Sequence, residues 1–166
     1  MTGEGTLWVI AEISIGFAGF TGVVAVFGQQ TWSALNRYRF TALWATSLTT
    51  MLFALFPLLL SYCGLTEPKV WRYSSVVIVL VLTIVNCVEL PRAWRLRTHM
   101  PQTDKITLSG LTFVLFAAIG GLVWNATSHA PTIAPYMAAL IYMLLVASTM
   151  FVRLLSSHVS GNIDEA

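Results

Sequence analysis

Charged side chains are scarce in this chain: Lys and Arg together number 9, Asp and Glu 7, which is 10% of 166 residues with a formal net charge of +2. A nucleic-acid surface needs a concentration of basic residues that so little charge cannot build, so no nucleic-acid partner is expected. Histidine is also rare, and His99, His129 and His158 fall in predicted loops or the tail, which leaves no pair of helix-borne ligands for a buried haem. The 2 cysteines, Cys63 and Cys87, are too few for a thiolate metal site; they read as small core residues near opposite ends of different apolar segments, an arrangement that argues against an intrachain disulfide. No HExxH, GxSxG, CxxC or phosphate-loop pattern occurs. Few acids and no histidines lie inside the apolar segments, which counts against a membrane enzyme, and no cofactor is expected.

What the chain has in excess is hydrocarbon. Hydrophobic residues make up 57% of it and the mean hydropathy is +0.76, far outside the soluble norm. Five apolar segments run from about residues 6–27, 38–62, 70–90, 106–124 and 133–152, each near the roughly 20 residues that carry a helix across ~30 Å of hydrocarbon. The fold expected is an all-α integral membrane protein, a compact bundle of five transmembrane helices forming one domain over residues 1–155, with a short, polar, mobile tail at 156–166. The start, Met1 to Gly5, lacks the basic region of a signal peptide, so the first segment is expected to stay in the mature protein.

Local punctuation sets the boundaries. Gly28 to Ser33 breaks the first span. Pro57 has no N–H to give the Phe53 carbonyl and predicts a kink in the second. Gly64 closes that span, and Thr66-Glu67-Pro68 reads as an N-cap with proline in the first turn. Asn125 to Pro131 is a polar turn; burying it in lipid to make four spans would leave open backbone groups at several kcal/mol each. Its Asn125-Ala126-Thr127 triplet is a glycosylation acceptor in a host that glycosylates. On the second span Ala42, Thr46, Thr49 and Thr50 share one side and predict a contact seam. Gly110, Ala117 and Gly121 do the same on the fourth.

Short cytoplasmic loops are enriched in Lys and Arg. With the N-terminus outside and the C-terminus cytoplasmic, Arg37, Arg39, Arg92, Arg95, Arg97, Lys105 and Arg153 lie inside and only Lys69 and Arg72 outside. That orientation also puts the run from Arg92 through Arg95 to Arg97 against anionic headgroups, worth about 1 kcal/mol per residue, although the topology rule alone accounts for it.

Within the spans, the stretch Ala11 to Gly22 is unusual. It sets Glu12 beside Gly16, Gly19 and Gly22 in an otherwise apolar helix, and Ser14-x3-Ala18-x3-Gly22 is a small-xxx-small ladder of the kind that lets helix backbones approach closely. Glu12 reads in two ways: as an ion pair with Arg72 at similar depth in the third span, or as one of a ring of carboxylates around a pore axis. Asn86 and Glu89 are neighbours on the third span, where Arg92, Arg37 or Arg39 can neutralise the acid in a local clamp; the same pair can also be read as an ion site. Tyr142, near the middle of the fifth span, needs a hydrogen-bond partner, for which a span-two threonine or Asn86 is expected.

The residues Ala11-Glu12-Ile13, Gly16 to Ala25, Leu52 to Leu60 and Trp71-Arg72-Tyr73-Ser74-Ser75 together resemble a family of small bacterial multi-pass membrane proteins that is uncharacterised. The likeness covers roughly the first ninety residues and implies a bacterial inner membrane, with Glu12, the glycines and Arg72 belonging to one pattern. It implies no activity. From the residues, span one is expected to pack against span three and against copies of itself, in a homo-oligomeric ion channel or ion-translocating assembly in which Glu12 is the selectivity or protonation site, the glycines allow packing or gating, and Arg72, Asn86 and Glu89 mark the mouths. The alternative is a non-conducting scaffold or accessory subunit that binds a larger membrane partner through the glycine face. Lipid, a second copy and ions are the partners expected.

Overall fold

A computed structural model describes residues 3–28, 34–96 and 102–161. It contains five helices, α1 (Glu4–Gly28), α2 (Ala34–Tyr62), α3 (Glu67–Leu96), α4 (Gln102–Thr127) and α5 (Ile133–Gly161), and no strands among the described residues. Each has a stretch long and apolar enough to cross a bilayer. α3 continues through Pro91 to Leu96, and α5 runs on to Gly161, past the point where a free tail was expected. The rest of that tail lies outside the described residues.

The punctuation works as its chemistry dictates. Gly64, at φ +81°, ends α2 in a Schellman turn, with Leu65 N–H donating to Leu60 O at 3.4 Å and Gly64 N–H to Ser61 O at 3.0 Å. Two residues on, the Thr66 carbonyl accepts from Lys69 N–H and Val70 N–H at 2.9 and 3.0 Å and starts α3. The Phe53 carbonyl, which Pro57 cannot serve, accepts instead from the Tyr136 hydroxyl of α5 at 2.7 Å, wholly buried.

α2, α3, α4 and α5 close a ring, and α1 lies outside it against α2 and α5. The expected packing of span one on span three is therefore corrected. The inward side of α1 is Leu7, Ile10, Ala11, Ser14 and Thr21, with Phe17 tilted against Phe151 of α5 and Phe20 edge-on to it, ring centroids 5.6 and 4.8 Å apart. These larger side chains fill the notch between α2 and α5 better than glycine would. The main core gathers Leu7, Ile10, Phe53, Leu58, Trp71 and Tyr136, all in the half of the bundle that holds the α2–α3 and α4–α5 turns. We call that half the closed end, and the opposite half, with Arg39, Arg92 and Arg153, the basic end.

Outside, the surface is oily. Phe113 and Trp124 of α4 are each 76% exposed, and Leu52, Leu59, Leu80 and Ile84 face outward as well. A monomer in water rarely exposes so much contiguous apolar surface. Cys63 and Cys87 are exposed too, not in the core.

Candidate functional site

Glu12 stands on α1 about 12 Å along the axis from the helix start. It points away from the bundle, directly opposite the Ser14 and Thr21 seam, and makes no hydrogen bond or ion pair among the described residues. Gly16, Gly19 and Gly22 share the exposed side, and a Cβ added to any of the three would meet nothing within 4 Å. The glycine face is thus not the packed face within one chain. Of the Ser14-Ala18-Gly22 ladder, Ser14 is buried and Gly22 is open. The seam hydroxyls are satisfied by their own helix, Ser14 Oγ donating to Ile10 O at 2.7 Å and Thr21 Oγ1 to Phe17 O at 2.6 Å.

Arg72 is not the partner of Glu12. Its Nη2 donates to Ser128 O at 2.8 Å, across to the α4–α5 turn. The residue that organises this turn is Asn125, which composition alone gave no reason to single out. It is 2% exposed; its Nδ2 donates to Ser75 Oγ at 3.0 Å and to Thr132 O at 2.9 Å, and its Oδ1 accepts from Thr132 N–H at 2.8 Å. With the amide buried and both sides engaged, Asn125 is not available as a glycosylation acceptor in the folded chain. The only hint in the sequence was the run of polar residues itself, since no local pattern says which of them turns inward.

The basic end is different in kind. Asn86 and Glu89 lie one turn apart on α3 there, each with its own partner. Glu89 Oε1 accepts from Arg92 Nη1 at 2.8 Å, an exposed pair one turn apart on α3, and Asn86 Nδ2 donates to Leu82 O at 2.8 Å. Both line a groove of about 430 Å³ between α2 and α3, floored by α5. The threonine side of α2 faces this space, since Ala42, Thr46 and Thr49 line the groove and only Thr50 of the expected seam is fully buried. The Tyr142 hydroxyl is also on the groove wall, yet it donates to Leu111 O of α4 at 3.1 Å, not to a threonine or to Asn86. On α4, Gly110 and Ala117 are exposed, and Gly121 alone of the small-residue face approaches a neighbour, Pro135.

Beside the groove, and sharing Tyr38 and Met150 with it, is a smaller cavity of about 40 Å³ between α2, α4 and α5. Arg39, Arg153 and Thr107 line it. Arg39 is only 9% exposed, with Nη1 donating to Asn36 Oδ1 at 3.1 Å; Arg153 Nη2 donates to Thr107 Oγ1 at 2.6 Å. The sequence offered Arg153 only as a topology marker and Arg39 as a topology marker and a neutraliser of Glu89; Arg153 lies inside the last apolar turns of α5 and not beyond them. Arg92 and Arg95 are exposed at the same end, and Arg97 lies outside the described residues. No group of three or more potential metal ligands occurs among the described residues.

Compared with known protein families, with curated proteins and with solved structures, the chain matches none.

Proposed function

We propose that this is a multi-pass membrane protein that works as a homo-oligomer, the Glu12 face of α1 meeting a neighbouring copy and passing cations or protons along the seam between subunits. The observation that supports this reading is the outward, unpartnered Glu12 on a face left bare by Gly16 and Gly19. An ionisable side chain at such a depth costs about 2.5–3.5 kcal/mol against lipid even on insertion scales, so the helix gains by turning it toward protein or water. Glycines beside it let a second backbone approach closely. The groove and the small cavity described within one chain lie in its basic half. The orientation that goes with this reading has the N-terminus outside and the C-terminus in the cytoplasm of a bacterial cell, with Arg92, Arg95 and Arg97 at the inner headgroups.

The test combines two readouts in proteoliposomes. Cation or proton flux should exceed that of empty liposomes, fall to that background in Glu12→Gln, and persist in Glu89→Gln. Copies carrying Gly16→Cys, a position with room for a side chain, should crosslink to one another. Crosslinking without flux under any ion, pH or voltage would replace conduction with the non-conducting scaffold. A chain that neither conducts nor crosslinks would sink both the seam and the oligomer.

A further inference from the structure

On α1 the outward acid stands on a regular line. Gly5, Glu12 and Gly19 are spaced by one heptad each, and Gly16 lies beside them on the same exposed side. A seven-residue repeat drifts only ~20° per step around a helix, so these residues form a nearly straight stripe down α1. Such a stripe suits a helix running alongside, since each repeat keeps facing it. One charge pattern gives every copy the same orientation in the bilayer. Two copies that meet through this one stripe are then related by a twofold axis along the membrane normal, which sets equal residues opposite each other at equal depth. Glu12 of one copy therefore meets Glu12 of the second.

The surroundings decide what that pair can hold. No cation faces it among the described residues. The helices against α1 are α2 and α5, and their guanidiniums, Arg37, Arg39 and Arg153, stand at the basic end, while α1 begins at the closed one. The Tyr136 and Tyr142 hydroxyls of α5 donate to Phe53 O and Leu111 O, and Tyr38 and Tyr62 lie near the two ends of α2. Arg72 of α3 serves Ser128 O. On α1 itself the other acid, Glu4, is two turns back, ~12 Å away. Two carboxylates brought face to face without a cation repel, and one proton held between them replaces the repulsion with a charge-assisted O–H···O hydrogen bond.

A metal cation is served poorly by the same geometry. Hard divalent cations take about six to eight oxygens, and potassium filters supply rings of free carbonyls. The stripe offers only its carboxylates, because Gly5, Trp8, Gly16, Gly19 and Val23 have no side-chain oxygen and the carbonyls within a helix are already engaged. Thr6, the one exposed hydroxyl among the described residues of α1, is about a third of a turn off the line. A proton needs a single carboxyl oxygen.

We propose that the α1 seam takes protons and not metal cations, one proton being held between the Glu12 carboxyls of two copies. It adds to a carboxylate oxygen from water on one side and leaves to water on the other; only O–H bonds form and break. The assignment rests on the reading that copies meet through the Glu12 face, and it can fail while that seam stands.

The experiment uses the full chain in proteoliposomes, with proton, potassium and sodium gradients imposed one at a time and Gly16→Cys crosslinking run alongside. Proton flux should exceed that of empty liposomes, potassium and sodium flux should equal it, and the reversal potential should follow the proton gradient alone. Glu12→Gln should abolish the proton flux, Glu12→Asp, which keeps the carboxyl on a shorter stem, should retain part of it, and Glu89→Gln should leave it unchanged. Potassium or sodium flux that Glu12→Gln removes would overturn the proton assignment and leave the conducting seam. Copies that crosslink but pass no ion overturn the assignment as well, and leave the scaffold. Loss of both crosslinking and flux in the wild type sinks the seam, and the assignment with it. Proton flux that survives in folded Glu12→Gln puts the carrier elsewhere and overturns the proposal. Should Glu12→Gln fail to fold, the wild-type selectivity and Glu12→Asp still decide.

Discussion

The two ends of the bundle use polar residues for opposite purposes. At the closed end Arg72, Ser75, Asn125, Ser128 and Tyr136 are spent on one another and on backbone carbonyls. At the basic end Tyr38, Arg39, Asn86, Glu89 and Arg153 border open volume. A buried hydrogen bond between distant segments fixes one geometry, whereas polar groups on the wall of a cavity leave a geometry to be completed. Substitutions at the closed end should therefore act on stability, and those at the basic end on what the protein binds.

The largest stability effect is expected from Asn125→Ala. It removes three hydrogen bonds at once and strands Thr132 N–H, which no longer has its acceptor. A loss of about 2–3 kcal/mol is expected, because breaking a buried network leaves unsatisfied groups that each cost ~1–3 kcal/mol in part-buried settings. Unfolding by graded denaturing detergent, followed by circular dichroism, measures it. A loss no larger than that of Ala42→Phe at the basic end would mean that the two ends do not differ in the way described.

Tyr136→Phe comes next. It deletes the hydroxyl that serves the Phe53 carbonyl and is expected to cost about 1 kcal/mol, within the range measured for hydrogen bonds in membrane helices. The cause can be separated from lost packing by a cycle. Pro57→Ala restores an N–H at the position that normally bonds the Phe53 carbonyl, so Tyr136→Phe should cost clearly less when combined with Pro57→Ala than alone. Equal cost in both backgrounds would show that the hydroxyl does not stand in for the missing N–H.

That pairing also shows where the sequence was readable. Several features set within a turn or two of chain could be anticipated from residue chemistry: five long apolar helices, the Gly64 cap, the Thr66 start, the orphaned Phe53 carbonyl, the Glu89–Arg92 clamp. The partner of that carbonyl could not, because Tyr136 lies 83 residues away. Nor could the inward side of α1 be read. In water an apolar stripe marks the buried face of a helix, but in lipid both faces are apolar and the stripe disappears. Small residues became the substitute signal, and they pointed outward, with Glu12, while Leu7, Ile10 and Phe17 faced in. Arg39 and Arg153 were hidden for a related reason. A residue that satisfies the positive-inside pattern gives no sign that it also faces a cavity shared with another helix.

The smallest effect expected is also the most discriminating, because it sets two neighbouring serines against each other. Ser74 and Ser75 are adjacent on α3, and both are fully buried. Ser75 Oγ accepts from Asn125, while Ser74 Oγ has no hydrogen-bond partner among the described residues. Were burial of a hydroxyl all that mattered, the two alanine variants would be alike. Satisfaction is what matters, since an orphaned hydroxyl has surrendered its solvation for nothing and its removal relieves that cost. Ser75→Ala should destabilise by about 1 kcal/mol, and Ser74→Ala should be neutral or stabilising by up to about 1 kcal/mol. The same detergent titration compares them. A Ser74→Ala variant at least as damaged as Ser75→Ala would show that the closed end is held by close packing of small side chains, with the Asn125 clasp a consequence of that packing and not its cause.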